Sequence, residues 1–227
     1  MSENAMSVDA ETTILSNHGV NTWLEQLQVA LDCAVPSAYD IWCCAQVYLK
    51  AGDKKNAMRC QKLNYVLHNS SIPNSVKMGD DVHFGSGGMG VTLHALSEIG
   101  NGVVIGTQVT VGGRGRGKRV GATGKSASVP LIGDHVVIST GSKVLGGIEI
   151  GTFSVIGANS LVTTNIPPLS VVVGTPGRVV KEITLENCMA YKNMYLALRG
   201  LDKQDYAKLI KAAILKKKAL ANKSSLR

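Results

Sequence analysis

Histidine is the residue type in this chain best suited to acid–base chemistry, because its imidazole titrates near neutral pH and can take a proton from a hydroxyl group. The sequence of 227 residues contains five histidines. We assign the role of general base to His94, which His83 could assist. His18 and His68 fall in segments with helical spacing, where a surface or capping role is expected, and His135 falls at a turn.

A second group of residues could hold phosphate. Arg114, Arg116 and Lys118 begin a glycine-rich basic stretch. These cations could clamp the phosphates of a nucleotide-like cofactor or attract an anionic acceptor, and a solvated loop is the equal alternative. The formal net charge of +8 comes largely from this stretch and from residues 203–223, and neither interleaves aromatic residues as a base-stacking surface does. No nucleic acid partner is therefore expected.

The composition argues against a metal site and a membrane span. The five cysteines follow no metal-ligand spacing, and reduced thiols are expected. The chain has no run of about 18 uncharged apolar residues, and its N-terminus lacks the basic and apolar parts of a signal peptide. We therefore expect a cytoplasmic protein that requires no metal.

A repeat of six residues must position these side chains. Aliphatic residues recur at every sixth position in two series, and glycine often follows them. A period of six is neither helical nor a simple strand alternation, so the chain must turn at fixed intervals with one large side chain inward per segment. Three segments make a triangular coil of 18 residues, and stacked coils make a parallel β-helix. The two series are Leu93, Ile99, Ile105, Val111 and Ile132, Ile138, Val144, Ile150, Ile156, Val162.

The rest of the chain has helical spacing. We predict a tail and small helical cap over residues 1–71, with about three short helices, and a C-terminal helical tail over 182–227. The β-helix is predicted for residues 72–181, interrupted by one long excursion at 113–131. The fold class is thus mainly β, a parallel β-helix with an N-terminal helical cap and a C-terminal helix.

This repeat explains the choice of His94. Leu93 is expected to point into the coil, so His94 should point out, and Gly112 should stack directly above it one coil later. Gly112 is the root of the excursion. His94 is therefore expected beneath the foot of a loop that could reach across a subunit cleft, although an exposed histidine without function would have the same pattern.

The closing repeats resemble a known family. Asn165-Ile166-Pro167-Pro168, followed by the stretch 173–181 with its Gly-Thr-Pro-Gly turn, resembles the hexapeptide-repeat acyltransferases, most closely the serine acetyltransferase-like branch. The resemblance implies a left-handed β-helix and a homotrimer, which could pair into a dimer of trimers. It also implies active sites between neighbouring prisms and acetyl-CoA as co-substrate, lying along the coils.

The resemblance also suggests residues that bind the cofactor. Arg178 and Lys181 follow the Gly-Thr-Pro-Gly turn, where the family places basic contacts to the CoA phosphates, and Thr175 lies in that turn. Small residues at outward or corner positions could leave room for the pantetheine arm, although the repeat alone would demand small residues there. These small residues are Thr140, Ser142, Gly147 and Ala158.

Two positions depart from the family. Phe84 to Gly90 breaks the rhythm of six by three residues, and in the family this breakout commonly carries a histidine where this chain has Ser86. Serine acetyltransferases also tend to have a histidine just before the proline that ends the excursion, where this chain has Val129. Ser86 is therefore included with His94 and His83 among the candidate catalytic residues.

Three functions follow from these observations. We favour an O-acetyltransferase that moves acetyl from acetyl-CoA to a sugar hydroxyl of a cell-surface polysaccharide or its precursor, since a saccharide acceptor tolerates the two departures best. The alternative acceptor is serine, in cysteine biosynthesis. A non-catalytic trimeric scaffold is the alternative of another class, and a carbonic-anhydrase-like zinc site is disfavoured because no two histidines stand four or five residues apart.

Overall fold

The structure is a computed structural model that describes residues 34–113, 119–120 and 126–224, together with Gln28. The chain divides into two compact units, Met1–Pro36 and Ser37–Arg227. The architecture below is that of the second unit. No helix among its described residues has the length and apolarity needed to cross a membrane. The basic residues Arg114, Arg116 and Lys118 lie outside the described residues.

Two helices form the cap: α1, Ala38–Lys50, and α2, Lys54–His68. Ser37 and Asp40 form a capping box that satisfies free N–H groups at the start of α1. At the turn before α2, Gly52 has a φ of 78°, which favours glycine. Of the residues before 34, only Gln28 is described, and it is helical; the remainder of any earlier helix of the cap lies outside the described residues.

Short strands follow the cap and wind around a triangular prism. All inter-strand pairs between successive coils are parallel, and the period of six therefore makes coils as predicted. The strands are β1 Lys77–Met78, β2 His83–Phe84, β3 Thr92–Leu93, β4 Glu98–Ile99, β5 Val104–Ile105, β6 Thr110–Gly112, β7 Arg119–Val120, β8 Ser126–Ala127, β9 Leu131–Ile132, β10 Val137–Ile138, β11 Lys143–Leu145, β12 Glu149–Ile150, β13 Val155–Ile156, β14 Leu161–Val162, β15 Ser170–Val173 and β16 Arg178–Glu182.

Three sheets form the three faces of the prism. Face 1 has the order β1-β4-β9-β12, face 2 the order β2-β5-β10-β13-β15-β16, and face 3 the order β3-β6-β11-β14. We call the corners that lead from face 2 to face 3 the Ser86 edge, at residues 85–91, 106–109, 139–142 and 157–160. The corners that lead from face 3 to face 1 are the His94 edge, at residues 94–97, 113, 128–130, 146–148 and 163–165.

The register shows where the regular coil is interrupted. Thr92 pairs with Thr110, and Lys143 with Leu161, each 18 residues apart. Across the excursion the pairing jumps from Thr110 to Lys143, which keeps face 3 continuous. The chain thus leaves the prism after β6 on face 3 and rejoins it at β9 on face 1.

The core consists of the aliphatic residues that the repeat predicts, all of them at most 4% exposed. A second buried series, which the sequence analysis did not identify, stands two residues before them at the corners. Its members are Val76, Val82, Val91, Val103, Val109, Val136 and Ile148. Most segments of the coil therefore insert two side chains, and the second position is buried at most corners of the prism.

The C-terminal segment covers the outward side of face 2. Val137 and Val155, which point away from the prism, are buried against Ile183, Tyr195 and other residues of this segment. Helix α3 spans Lys203–Ser224. Residues 185–198, whose spacing predicted a helix, instead form three short 3-10 turns, Cys188–Ala190, Lys192–Met194 and Leu196–Leu198. The predicted fold class, mainly β with an N-terminal cap and a C-terminal helix, is confirmed.

Candidate active site

His94 lies at the His94 edge, immediately after β3. Its backbone N–H donates to the carbonyl of Val111 at 2.8 Å, and the pairing of Leu93 with Val111 places Gly112 next to it in the following coil. The side chain is exposed. The imidazole therefore stands on the surface at the foot of the excursion.

The hydrogen bonding of the ring determines which nitrogen can act as a base. Nδ1 of His94 accepts the backbone N–H of Leu96 at 3.2 Å. The neutral ring consequently carries its hydrogen on Nε2, and its lone pair is on Nδ1. A hydroxyl that gives its proton to His94 in this orientation must replace the N–H of Leu96.

A groove on face 1 begins beside this corner. A cavity of about 280 Å³ is lined by residues 95–98, by Ser128 and Val129 at the end of the excursion, and by Lys77. A second cavity of about 330 Å³ shares Lys77, Glu98 and Leu131 with it, so the two form one groove. Lys77 and Glu98 are ion-paired at 3.2 Å. The groove is thus large enough for a small polar molecule.

The other two candidate catalytic residues lie elsewhere. His83 is half-buried on face 2, where it pairs with Val104 in the next coil. Ser86 is exposed in the 3-10 turn Gly85–Gly88, at the Ser86 edge. Face 3 lies between this edge and His94. The structure therefore does not bring His83 or Ser86 to His94 within one chain.

Several candidate cofactor residues share the Ser86 edge. Thr140 and Ala158 are exposed there on neighbouring coils. Thr175 is also exposed, and its hydroxyl donates to the carbonyl of Asn159 at 3.2 Å. Arg178 and Lys181 are exposed on β16, which continues face 2 beyond these coils. Gly147, by contrast, is a buried corner residue on the His94 edge.

Ser142 lies at a corner, one of the two placements expected for it, but its side chain points into the prism. Its side chain is fully buried, and its hydroxyl donates to the carbonyl of Gly157 at 2.8 Å. The reason is the position of Ser142 two residues before Val144, which is the buried corner position of the repeat. Ser142 is therefore not available to a ligand.

Thr107 also lies on the Ser86 edge, although no sequence pattern singled it out. Its hydroxyl donates to that of Thr140 at 3.3 Å on the Ser86 edge. The register of the strands explains this contact. Ile105 pairs with Ile138 in the next coil, and the same offset brings Thr107 next to Thr140. Counting across the excursion, rather than by a fixed 18 residues, reveals the pair.

His135 and His68 belong to the packed interior. Burial lowers the pKa of His135, although Asp134 and Asp81 oppose this shift, and the ring packs on Phe153 under the C-terminal segment. His68, expected at the surface or in a cap, ends α2 and is buried. Among the described residues no group of three or more His, Cys, Asp or Glu could hold a metal ion.

Comparison with known proteins yields relatives for part of the chain. No protein-family model matches it. A serine acetyltransferase of Bacillus subtilis is 48% identical over 95 residues, which cover 41% of this chain and 40% of that protein. A serine acetyltransferase of Staphylococcus aureus is 46% identical over 97 residues, 42% of this chain and 41% of that protein. The match thus spans about two fifths of these relatives.

Solved structures of the same kind are similar over more of the chain. A serine acetyltransferase in complex with cysteine has a TM-score of 0.57 at 27% identity, covering 70% of this chain and 57% of that one. The serine acetyltransferase of Brucella abortus in complex with coenzyme A has a TM-score of 0.56 at 26% identity, covering 65% and 56%. The left hand of the prism is that of these structures.

These findings overturn the preference for a sugar acceptor. The relatives are named serine acetyltransferases, so the sequence similarity favours serine, the alternative acceptor, in spite of the departures at Ser86 and Val129. Over its prism this chain is a left-handed parallel β-helix that resembles the hexapeptide-repeat acyltransferases and, among them, the serine acetyltransferases.

Proposed function

We propose that this protein is an acetyl-CoA-dependent O-acetyltransferase whose acceptor is serine. The observation that carries the proposal is the exposed imidazole of His94 at the foot of the excursion, beside a groove, in a prism similar to serine acetyltransferases. Structures similar to this one bind coenzyme A. The named relatives match this chain over about two fifths of their own length. The activity of the whole protein is therefore our inference.

The proposed reaction needs one base. Nδ1 of His94 takes the hydroxyl proton of the acceptor as the oxygen attacks the thioester carbonyl, after the hydroxyl has replaced the N–H of Leu96. Backbone N–H groups of the glycine-rich coils stabilise the tetrahedral oxyanion. When the intermediate collapses, the C–S bond breaks and the imidazolium returns its proton to the CoA thiolate. No acyl-enzyme is required.

A homotrimer would complete the site. Within one chain, His94 and the candidate cofactor residues Thr140, Ala158 and Thr175 lie on different edges of the prism, with face 3 between them. Face 2 is covered by the chain's own C-terminal segment, which leaves faces 1 and 3 for neighbouring prisms. We propose that the His94 edge of one protomer faces the Ser86 edge of the next, with the CoA phosphates near Arg178 and Lys181.

Release of CoA thiol from acetyl-CoA tests this function. We expect serine to raise the rate above that of sugars and of buffer alone. If no acceptor raises the rate and CoA does not bind, the enzyme proposal fails.

A non-catalytic trimeric scaffold is the second candidate. It is favoured by Ser86 and Val129, which stand where the resembled family carries histidines, and by the engaged lone pair of His94. Trimer formation without CoA binding in calorimetry would support it, whereas turnover with serine would exclude it.

A further inference from the structure

The breakout turn Gly85–Gly88 is held by the helical cap. A Cβ atom added to Gly87 would lie 2.8 Å from Cε1 and 3.1 Å from Nδ1 of His68, so the buried imidazole rests directly against this glycine. A Cβ on Gly88 would lie 2.6 Å from the Cβ of Ala38 in α1. Both cap helices therefore press on the turn, and neither contact leaves room for a larger residue.

Hydrogen bonds connect the end of α2 to the same turn. The N–H of Gly90 donates to the carbonyl of His68 at 2.8 Å. The hydroxyl of Ser70 donates to the carbonyl of Gly88 and accepts the N–H of Val91 at 3.1 Å. The segment that carries the imidazole is thus fixed to the turn at three points.

Ser86 lies inside this turn, next to Gly87. Its φ of 46° and ψ of 49° lie in the left-handed region, which is unfavourable for a residue with a Cβ atom. Such a conformation persists when the surroundings impose it. His68 contacts the neighbouring residue, Gly87, from the interior of the protein. The side chain of Ser86 faces solvent on the other side of the turn.

We propose that His68 is a positioning residue for the acetyl transfer: its buried ring fixes the breakout turn and so holds Ser86 at the edge that carries Thr107 and Thr140. This inference rests on the proposed function only for its catalytic consequence. The ring packs directly against Gly87, and His94 remains the base. A phenylalanine at position 68 could therefore substitute in part, whereas alanine could not.

Amide hydrogen exchange tests the positioning without any substrate. We would compare the peptide that contains residues 84–91 in the full-length wild type, His68→Ala, His68→Phe and Gln46→Ala. Gln46 donates to the carbonyl of Asn74 at 2.9 Å, so its alanine variant removes a contact between cap and prism that does not touch the turn. We expect at least tenfold faster exchange in His68→Ala alone. Unchanged exchange in His68→Ala, or equal acceleration in Gln46→Ala, would overturn the proposal.

Steady-state kinetics test the catalytic consequence. We expect His68→Ala to raise KM for acetyl-CoA at least threefold, because the Ser86 edge is the proposed cofactor edge, with an unchanged pH profile, and His68→Phe to restore most of the wild-type KM. Loss of the same limb of the pH profile in both variants would identify His68 as a proton carrier and overturn the positioning role. A wild type without turnover would refute the proposed function, while the exchange experiment would still decide whether His68 fixes the turn.

Discussion

The imidazole of His135 lies against the ring of Phe153, with the ring centroids 4.9 Å apart and an interplanar angle of 34°. Nδ1 of His135 is buried and has no hydrogen-bond partner among the described residues. Phe153 in turn contacts Tyr195 edge to face, with centroids 5.6 Å apart. A histidine at a corner of the prism is thereby joined to the C-terminal segment through two successive ring contacts.

The first prediction is that acidic pH destabilises the protein, because the His135 imidazole is buried among these rings. Burial lowers the pKa of His135 below its usual 6.5, so the unfolded chain binds a proton more readily than the folded one. The free energy of unfolding is therefore not reduced by His135 above about pH 6.5, and it decreases as the pH falls below this value toward the folded-state pKa of His135. We expect Tm to decrease between pH 7.5 and 5.5 as measured by calorimetry.

The matched control is His135→Asn. His135 has a φ of 54°, a left-handed conformation that asparagine adopts more readily than most residues. The variant removes the titrating imidazole, and asparagine accepts the same backbone conformation. The Tm of the variant should therefore vary less with pH over this range. An equal dependence in both proteins would assign the effect to other groups.

The second prediction concerns the base. His94→Ala should lower kcat/KM for serine acetylation by a factor of about 10² or more, since general-base catalysis contributes that much. Its Tm should stay close to that of the wild type because the side chain is exposed. His83→Ala, a histidine substitution on face 2, should retain activity. A fully active His94→Ala enzyme would show that the base is another residue.

The third prediction contrasts two hydroxyl groups. Ser142→Ala removes a buried hydrogen bond to the carbonyl of Gly157 and should cost about 1–3 kcal/mol of stability, without changing KM for acetyl-CoA. Thr140→Ala removes an exposed hydroxyl from the Ser86 edge and should raise this KM with little loss of stability. Urea unfolding and initial rates measure both quantities. A raised KM in Ser142→Ala alone would contradict the assignment.

The fourth prediction concerns the C-terminal segment. The buried hydroxyl of Tyr195 donates to the carbonyl of Phe153 at 2.8 Å. Tyr195→Phe leaves this carbonyl without its partner and should destabilise the fold by about 1–3 kcal/mol in urea unfolding. Tyr191→Phe, at a half-buried ring of the same segment, is the comparison and should cost less. Equal stability of Tyr195→Phe and the wild type would mean that the hydrogen bond contributes nothing.

The repeat made much of the fold predictable from the sequence. Because one large aliphatic side chain must enter the core in each segment, a period of six assigns inward residues such as Ile105, Ile138 and Ile156 without knowledge of any contact. The same logic placed His94 outward and under Gly112. The repeat did not identify the acceptor. The preference for a sugar was wrong, and the named relatives favour serine.

Only the tertiary structure decided how the candidate residues group. His94 and Ser86 are separated because the breakout and the excursion extend from different corners of the prism. Ser142 is buried because the repeat has a second inward position, which the period does not reveal. The contact of His68 with Gly87 and the cover over face 2 join residues distant in sequence. A local period fixes the inward direction of each side chain, whereas packing between separate segments determines which side chains meet.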